Sequence, residues 1–338
     1  MIKIAIVGTG GMGRVHAECY HSLQQQGRAL SVVAAADIVI DKTAPVLTLH
    51  PDARAYDSLG ALLAVESPDV VAIATPSHLH AEMAQACLAA GAHVFCEKPM
   101  ALSAADALAM KESAARHQRW LMIGQVVRFM DTYRYLQQKV QDGSFGALRG
   151  LRLWRSSAAP LWGERSWFLE EALSGRAPVD FHIHDTDFIV SLLGAPQAVE
   201  SRLLDDGEQL SYLYTHYHYP EVEVRAEGGW VNGPLPFNFG YEAIFADAVL
   251  HNHNDELMLY ENGKEPRKVD VNTALAMDTD TNLSDLGPYV AENDYFLRCI
   301  ERGEAPALVT PQSALTSLSV VMKEIESARL GRAVAVSF

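Results

Sequence analysis

Five short, mostly apolar runs alternate with longer helical stretches over the first third of the chain. They are "IKIAIVG" (2–8), "SVVAAAD" (31–37), "DVVAIATP" (69–76), "AHVFCE" (92–97) and "RWLMIG" (119–124). Strands apolar at nearly every position are buried on both faces, which calls for a parallel sheet covered by helices on each side. The clearest intervening helix is "HAEMAQACLAAG" (80–91), Ala-rich and closed by Gly91 at a C′ position. Residues 1–124 therefore read as an N-terminal α/β domain with a doubly wound parallel sheet.

The period then changes. "DTYRYLQQKVQDG" (131–143) has the pattern of an amphipathic helix stopped at Gly143, and "ALRGLRLWRSS" (147–157) alternates. "LSYLYTHYHYP" (210–220) and "EVEVRAEGGW" (221–230) alternate strictly, with Val222, Val224 and Ala226 opposed to Glu221, Glu223, Arg225 and Glu227. Period-two alternation marks antiparallel strands with one wet face. Residues 125–338 are thus expected to form a C-terminal α+β domain on an open, mainly antiparallel sheet, closed by a helix over 311–331. A length of 338 residues agrees with two domains.

The formal net charge of −15 argues against a nucleic-acid footprint and against an anionic membrane as partner. Cys19, Cys87, Cys96 and Cys299 are scattered without paired spacing, which points to a reduced, cytoplasmic compartment. The N-terminus runs directly into a strand pattern without a basic leader, and no apolar run approaches the ~18 residues of a membrane span.

An acidic chain can still hold an anion through its backbone. "AIVGTGGMGRVHAECY" places Gly8, Gly10 and Gly13 in G-x-G-x-x-G spacing, after the first strand and opening a helix. In that context Gly8 permits the tight turn, Gly10 the close approach of a pyrophosphate, and Gly13 close helix packing. The loop residues Gly8, Thr9, Gly10, Gly11, Met12 and Gly13 form the expected phosphate site of a dinucleotide-binding Rossmann domain, with helix N–H groups supplying the polarity. Asp37, 24 residues after Gly13, ends the second strand, where a carboxylate accepts from both ribose hydroxyls and repels a 2′-phosphate. No Arg or Lys follows until Lys42, so the expected cofactor is NAD(H) and not NADP(H).

Ligands of a doubly wound sheet bind outside the carboxyl ends of its strands. Thr75, Pro76 and His80 at or just after the end of the third apolar run, and Glu97 and Lys98 at the end of the fourth, fall on that rim. Lys98 there can exchange a proton with a hydroxyl or carbonyl. A surface lysine paired with Glu97 is the competing reading, disfavoured because adjacent residues at a strand end point apart.

Together "GTGGMG", "ATPSHLHAE" and "HVFCEKPMALS" resemble the Gfo/Idh/MocA family of NAD(P)-dependent oxidoreductases. The resemblance is strongest over residues 1–130 and continues through "RF" (128–129), "DFHIHDTD" (180–187) and "ESARLGRAVAV". It implies that Lys98 is catalytic, that a cis bond precedes Pro99, and that the open sheet supports homodimers or homotetramers. The family's D-x-x-x-H signature falls on Asp180 and His184. Were that segment one helix, Asp180, His184 and Asp187 would share a face at i, i+4 and i+7. The resemblance then implies that His184 and Lys98 handle the proton, with Asp180 coupled to the imidazole, while hydride moves to or from the nicotinamide. Arg128, Trp162 and Trp167, with Asp180 and His184, are candidates for the substrate pocket, although either tryptophan could equally be core. The chain departs from the family at "SGRAPVD", at His182, where a small residue is usual, and at Phe168, where many relatives carry arginine.

His182/His184, His216/His218 and His251/His253 are H-x-H pairs. On a strand His216 and His218 would share a face, but no third ligand has suggestive spacing, so no metal is expected. The tyrosines of 212–219 suit sheet packing or an oligomer contact. The expected activity is NAD-dependent oxidation of a secondary alcohol of a sugar, inositol or related polyol, or the reverse. A dihydrodiol-type or other non-sugar dehydrogenase would keep the cofactor site and change the pocket. A dinucleotide sensor without turnover could dispense with Lys98 and the Asp180–His184 pair.

Overall fold

The computed structural model describes residues 1–161, 164–271 and 286–337. These divide into two compact units, residues 1–126 with 286–315 and residues 127–271 with 316–337.

The first unit opens with β1 (Ile2–Val7), α1 (Gly11–Gln25), β2 (Leu30–Ala36), α2 (Ala44–Leu49), β3 (Arg54–Tyr56) and α3 (Leu59–Val65). It continues with β4 (Val70–Ile73), α4 (His80–Ala89), β5 (His93–Glu97), α5 (Ala104–His117) and β6 (Leu121–Gly124). All six strands pair in parallel, in the order β3-β2-β1-β4-β5-β6. Every residue of β4 and the last four of β1 are buried, which is why those runs are apolar throughout. Strand order reverses between β1 and β4, so the carboxyl ends of these strands flank the switch point. The edge strand β3 spans three residues, too few for a periodic signal, and was not expected.

The second unit follows with α6 (Asp131–Asp142), β7 (Leu148–Ala158), α7 (Glu171–Ser174), α8 (Arg176–Asp180) and α9 (Ile183–Leu193). Then come β8 (Ala198–Asp205), β9 (Ser211–His218), β10 (Glu223–Val231), β11 (Asn238–Phe245), β12 (Ala248–His253), β13 (Glu256–Glu261) and β14 (Arg267–Lys268). α6 stops at Gly143, which takes a left-handed φ of 64°. The chain ends with α10 (Gly287–Arg302), α11 (Pro311–Leu330) and β15 (Val334–Ala335). The nine-stranded sheet has the order β14-β13-β12-β11-β7-β10-β9-β8-β15. Only β7 and β10 pair in parallel. Along β9, Leu213, Thr215 and Tyr217 are buried, while Tyr212, Tyr214, His216 and His218 look outward. The fold is therefore a Rossmann α/β unit plus a unit with a mixed, mostly antiparallel sheet, as the apolar and alternating runs predict.

α10 belongs to the first unit, although a boundary near residue 124 assigns it to the second. It lies against α1: Arg28 Nε donates to Asp294 Oδ1 at 2.6 Å, and Asn293 Nδ2 stands 3.1 Å from His16 Nδ1. No described helix is long and apolar enough to cross a membrane. All four cysteines are free thiols.

Candidate active site

In the first unit the glycine loop shows which of its glycines the protein itself requires. Gly8 has φ +83°, and a Cβ there would lie 2.6 Å from Ala74 O. A Cβ on Gly13 would lie 1.9 Å from Gly8 O, so α1 could not pack against the loop. A Cβ on Gly10 or Gly11 would meet only open space, which leaves the loop and the first turn of α1, with Met12 half-buried, free to receive a ligand. Asp37 is built into this loop. Its Oδ2 accepts from the Thr9 N–H (2.9 Å) and Thr9 Oγ1 (3.2 Å), and its Oδ1 accepts from the Val39 N–H (2.9 Å). A carboxylate has about four acceptor sites, so Asp37 keeps capacity for one ribose hydroxyl.

The second part of the rim is the corner after β5. The Lys98–Pro99 bond is cis. Glu97 is buried: Oε1 pairs with His16 Nε2 at 2.8 Å, and Oε2 accepts the Lys98 N–H at 3.2 Å. Burial would raise the Glu97 pKa, but the His16 hydrogen bond, with the neighbouring Lys98 charge, outweighs it and holds the carboxyl below its usual range. His80 is also buried. Its Nδ1 lies 2.8 Å from Pro99 O and its Nε2 2.9 Å from Thr75 O, so the ring sits between the β4 and β5 corners and, when neutral, donates to one of these carbonyls at a time. Burial lowers the His80 pKa, against the pull of those two carbonyls. Thr75 Oγ1 is buried without a hydrogen-bond partner among the described residues. Lys98 itself is half-buried.

In the second unit Asp180 and His184 do not share one helix. α8 ends at Asp180, and the N–H groups of Phe181 and His182 both close on Ala177 O (3.0 and 2.8 Å). α9 then begins at Ile183, placing His184 in its first turn. Asp187 is not on an open face with His184. It is fully buried, receiving Arg128 Nε and Nη2 (2.7 and 2.6 Å) and Ser317 Oγ (2.7 Å). Arg128 is thereby held in a bidentate ion pair. Trp167 stacks on Phe168 with ring centroids 3.9 Å apart, and Phe168 meets Trp230 edge-on. Trp162 lies outside the described residues.

His182 is fully buried, with Nε2 3.2 Å from Tyr217 OH and 3.1 Å from Glu324 Oε2. Its room comes from Gly228 on β10, where a Cβ would stand 3.0 Å from His182 Nδ1. A sheet glycine thus accommodates the large residue in the D-x-x-x-H segment. Asp185, next to His184, receives Arg155 Nε and Nη2 at 3.1 and 3.0 Å. On β9 the rings of His216 and His218 lie 4.6 Å apart on the outward face. Among the described residues no group of three or more His, Cys, Asp or Glu side chains could hold a metal ion.

Several of these groups were not anticipated. His16, Asn293, Glu292, Arg155 and Glu324 have no motif to mark them. Only His16 left a trace, as a polar residue on the buried face of α1 between Val15 and Ala17.

Comparison with known proteins gives two matches to models of one family. Residues 2–125 match "Oxidoreductase family, NAD-binding Rossmann fold", and residues 133–229 match "GFO/IDH/MocA C-terminal domain". D-glucoside 3-dehydrogenase of Escherichia coli (strain K12) is 30% identical over 204 residues, which cover 59% of this chain and 56% of that protein. The 2,7-anhydro-N-acetylneuraminate hydratase of Mediterraneibacter gnavus is 32% identical over 197 residues, 57% of this chain and 50% of that one. The chain thus spans about half the length of these two curated relatives. A levoglucosan dehydrogenase solved with NADH and L-sorbose shares the fold, with a TM-score of 0.87 at 18% identity, covering 100% of this chain and 99% of that one.

Proposed function

The chain belongs to the Gfo/Idh/MocA family of oxidoreductases, and from that premise we propose that it is an NAD-dependent dehydrogenase acting on a secondary alcohol of a sugar, inositol or related polyol. The observation that carries this reading is the carboxyl rim of the parallel sheet. There an open glycine loop is tied to Asp37, and the Glu97–Lys98–Pro99 corner is held by two histidines.

The residues present fit a dinucleotide. The Gly8–Gly13 loop and the first N–H groups of α1 suit a pyrophosphate, and Asp37 retains acceptor capacity for the ribose while its charge disfavours a 2′-phosphate. Thr75, Pro76 and Lys98 line the same rim. When bound, the nicotinamide takes up or returns a hydride at C4. The chain supplies the proton chemistry: Lys98 exchanges a proton with, or donates a hydrogen bond to, the reacting oxygen. His184 serves as the imidazole base, with Asp180 orienting it. Trp167 contributes an apolar face of the kind that packs on a sugar ring. The outward face of the nine-stranded sheet, which exposes Tyr214, Ile244 and Tyr260, is the surface for a dimer or tetramer, checked by light scattering.

The test is reduction of NAD+ and NADP+ followed at 340 nm over sugars, sugar acids, inositols and diols, with Lys98→Ala and His184→Ala alongside. Turnover with NAD+ is expected to fall about 10²–10⁴-fold in either variant, the usual worth of a positioned acid or base. Preference for NADP+ would remove the role given to Asp37. Activity that survives both variants would remove the proton assignment. A second reading, addition or elimination of water, is favoured by the hydratase relative. It predicts product without net accumulation of NADH.

A further inference from the structure

We propose that His16 and His80 are a pair of positioning residues that fix Lys98 from its two sides. The residue before Lys98 and the residue after it are each held by a buried imidazole. His16, fully buried on α1, meets the Glu97 carboxylate at 2.8 Å. His80, buried at the start of α4, meets Pro99 O at 2.8 Å and Thr75 O at 2.9 Å. Every ring nitrogen of the pair faces a protein atom, so their role is exerted through the corner they hold.

The His16 tautomer is itself set by the fold. Asn293 Nδ2 donates to Tyr289 O at 2.8 Å and lies 3.1 Å from His16 Nδ1. A donor facing Nδ1 makes that nitrogen the acceptor, which places the ring proton on Nε2, directed at Glu97. The reverse amide orientation would set Asn293 Oδ1 against a carbonyl oxygen. A helix from near the end of the chain thus sets the proton position on a histidine of α1, and that histidine holds the strand end carrying Lys98. The Glu97 carboxylate in turn accepts the Lys98 N–H, so the brace acts on the backbone of the lysine.

This rests on the assignment of Lys98 to the proton, and the experiment separates the two claims. His16→Ala, His16→Gln, His80→Ala and His80→Gln are made with and without Lys98→Ala. Two quantities are read: kcat and KM in turnover, and the rate of competitive acetylation of the Lys98 amine by acetic anhydride, scored by mass spectrometry without turnover. Misplacing a catalytic group by about 1 Å costs on the order of 100-fold. His16→Ala and His80→Ala are expected to lower kcat by up to that factor and to change the Lys98 acetylation rate. The His16→Gln amide, which can still donate to Glu97, is expected to restore most of both. NAD+ affinity of the His16 variants, read by fluorescence, stays at the wild-type value. Adding His16→Ala to Lys98→Ala is expected to cost little more than Lys98→Ala alone, since the brace acts through that lysine.

Acetylation of Lys98 unchanged in both alanine variants overturns the proposal, whether or not the protein turns over. Losses that multiply in the double variants overturn it as well. Absence of turnover on every substrate counts against the dehydrogenase reading and leaves acetylation to decide the brace. If an alanine variant does not fold, His16→Asn or His80→Asn replaces it and the same outcomes apply.

Discussion

Glu97 and Glu292 are two buried carboxyls of the first unit whose pKa values are pushed in opposite directions. Burial would raise the Glu97 pKa, but the His16 hydrogen bond and the neighbouring groups bring it below the usual carboxyl range. Glu292 on α10 has no hydrogen-bond partner for either oxygen among the described residues, and burial, then the Glu97 charge, pushes its pKa well above the ordinary carboxyl value. A carboxyl whose folded pKa is raised binds more protons folded than unfolded. Its contribution is therefore full below the unfolded value and declines as pH rises toward the folded value. Glu292→Gln, neutral at every pH, is expected to raise the melting temperature at pH 8 and to match wild type near pH 4. Parallel melting curves across that range would count against the assignment. Gly8 and Gly13 were legible beforehand because a tight turn and a close helix approach recur at fixed spacing within a glycine motif. Glu292 and Asn293 were not: Asn293 and His16 stand 277 residues apart, and a spacing rule has no reach over that distance.

Among the elements, continuous apolar runs located β1, β2, β4, β5 and β6, and strict alternation located β9 and β10. Burial on two faces or on one imprints itself residue by residue. The join between α8 and α9 left no such imprint. Two successive amides close on the same carbonyl, Ala177 O, so the helical ladder slips by one residue and the face shared by i, i+4 and i+7 is broken. α9 then carries Asp185 and Asp187 inward to Arg155 and Arg128, a polar interior that a hydrophobic period cannot reveal. The side chains of Arg155 and Asp185 are 5% and 0% exposed. Removing one charge of such a buried pair costs about 3–5 kcal/mol, whereas exchanging both for apolar residues is often neutral. Asp185→Asn is expected to lower the urea midpoint accordingly, and Arg155→Met with Asp185→Leu to recover most of it. A single variant as stable as wild type would show that this pair does not hold α9 to β7.

At the scale of the whole molecule, the sequence showed one change of texture and suggested one crossing between domains. Composition cannot show that the chain goes back, because α10 carries the same amphipathic pattern wherever it docks. Its return has a consequence for how the protein is made. Until residues 287–302 have been synthesised, the His16 face of α1 lacks Asn293, and β15 at 334–335 is the last strand to join the nine-stranded sheet. The first unit therefore lacks a helix, and the second an edge strand, until those residues are made. Ribosome-stalled chains ending at residue 126 or 271 are expected to be digested by a protease dose that the full-length chain survives. A stalled first unit as resistant as the finished protein would mean that α10 arrives as a late addition to a fold already complete. If the expectation holds, residues 1–126 stay open to proteolysis until α10 reaches them.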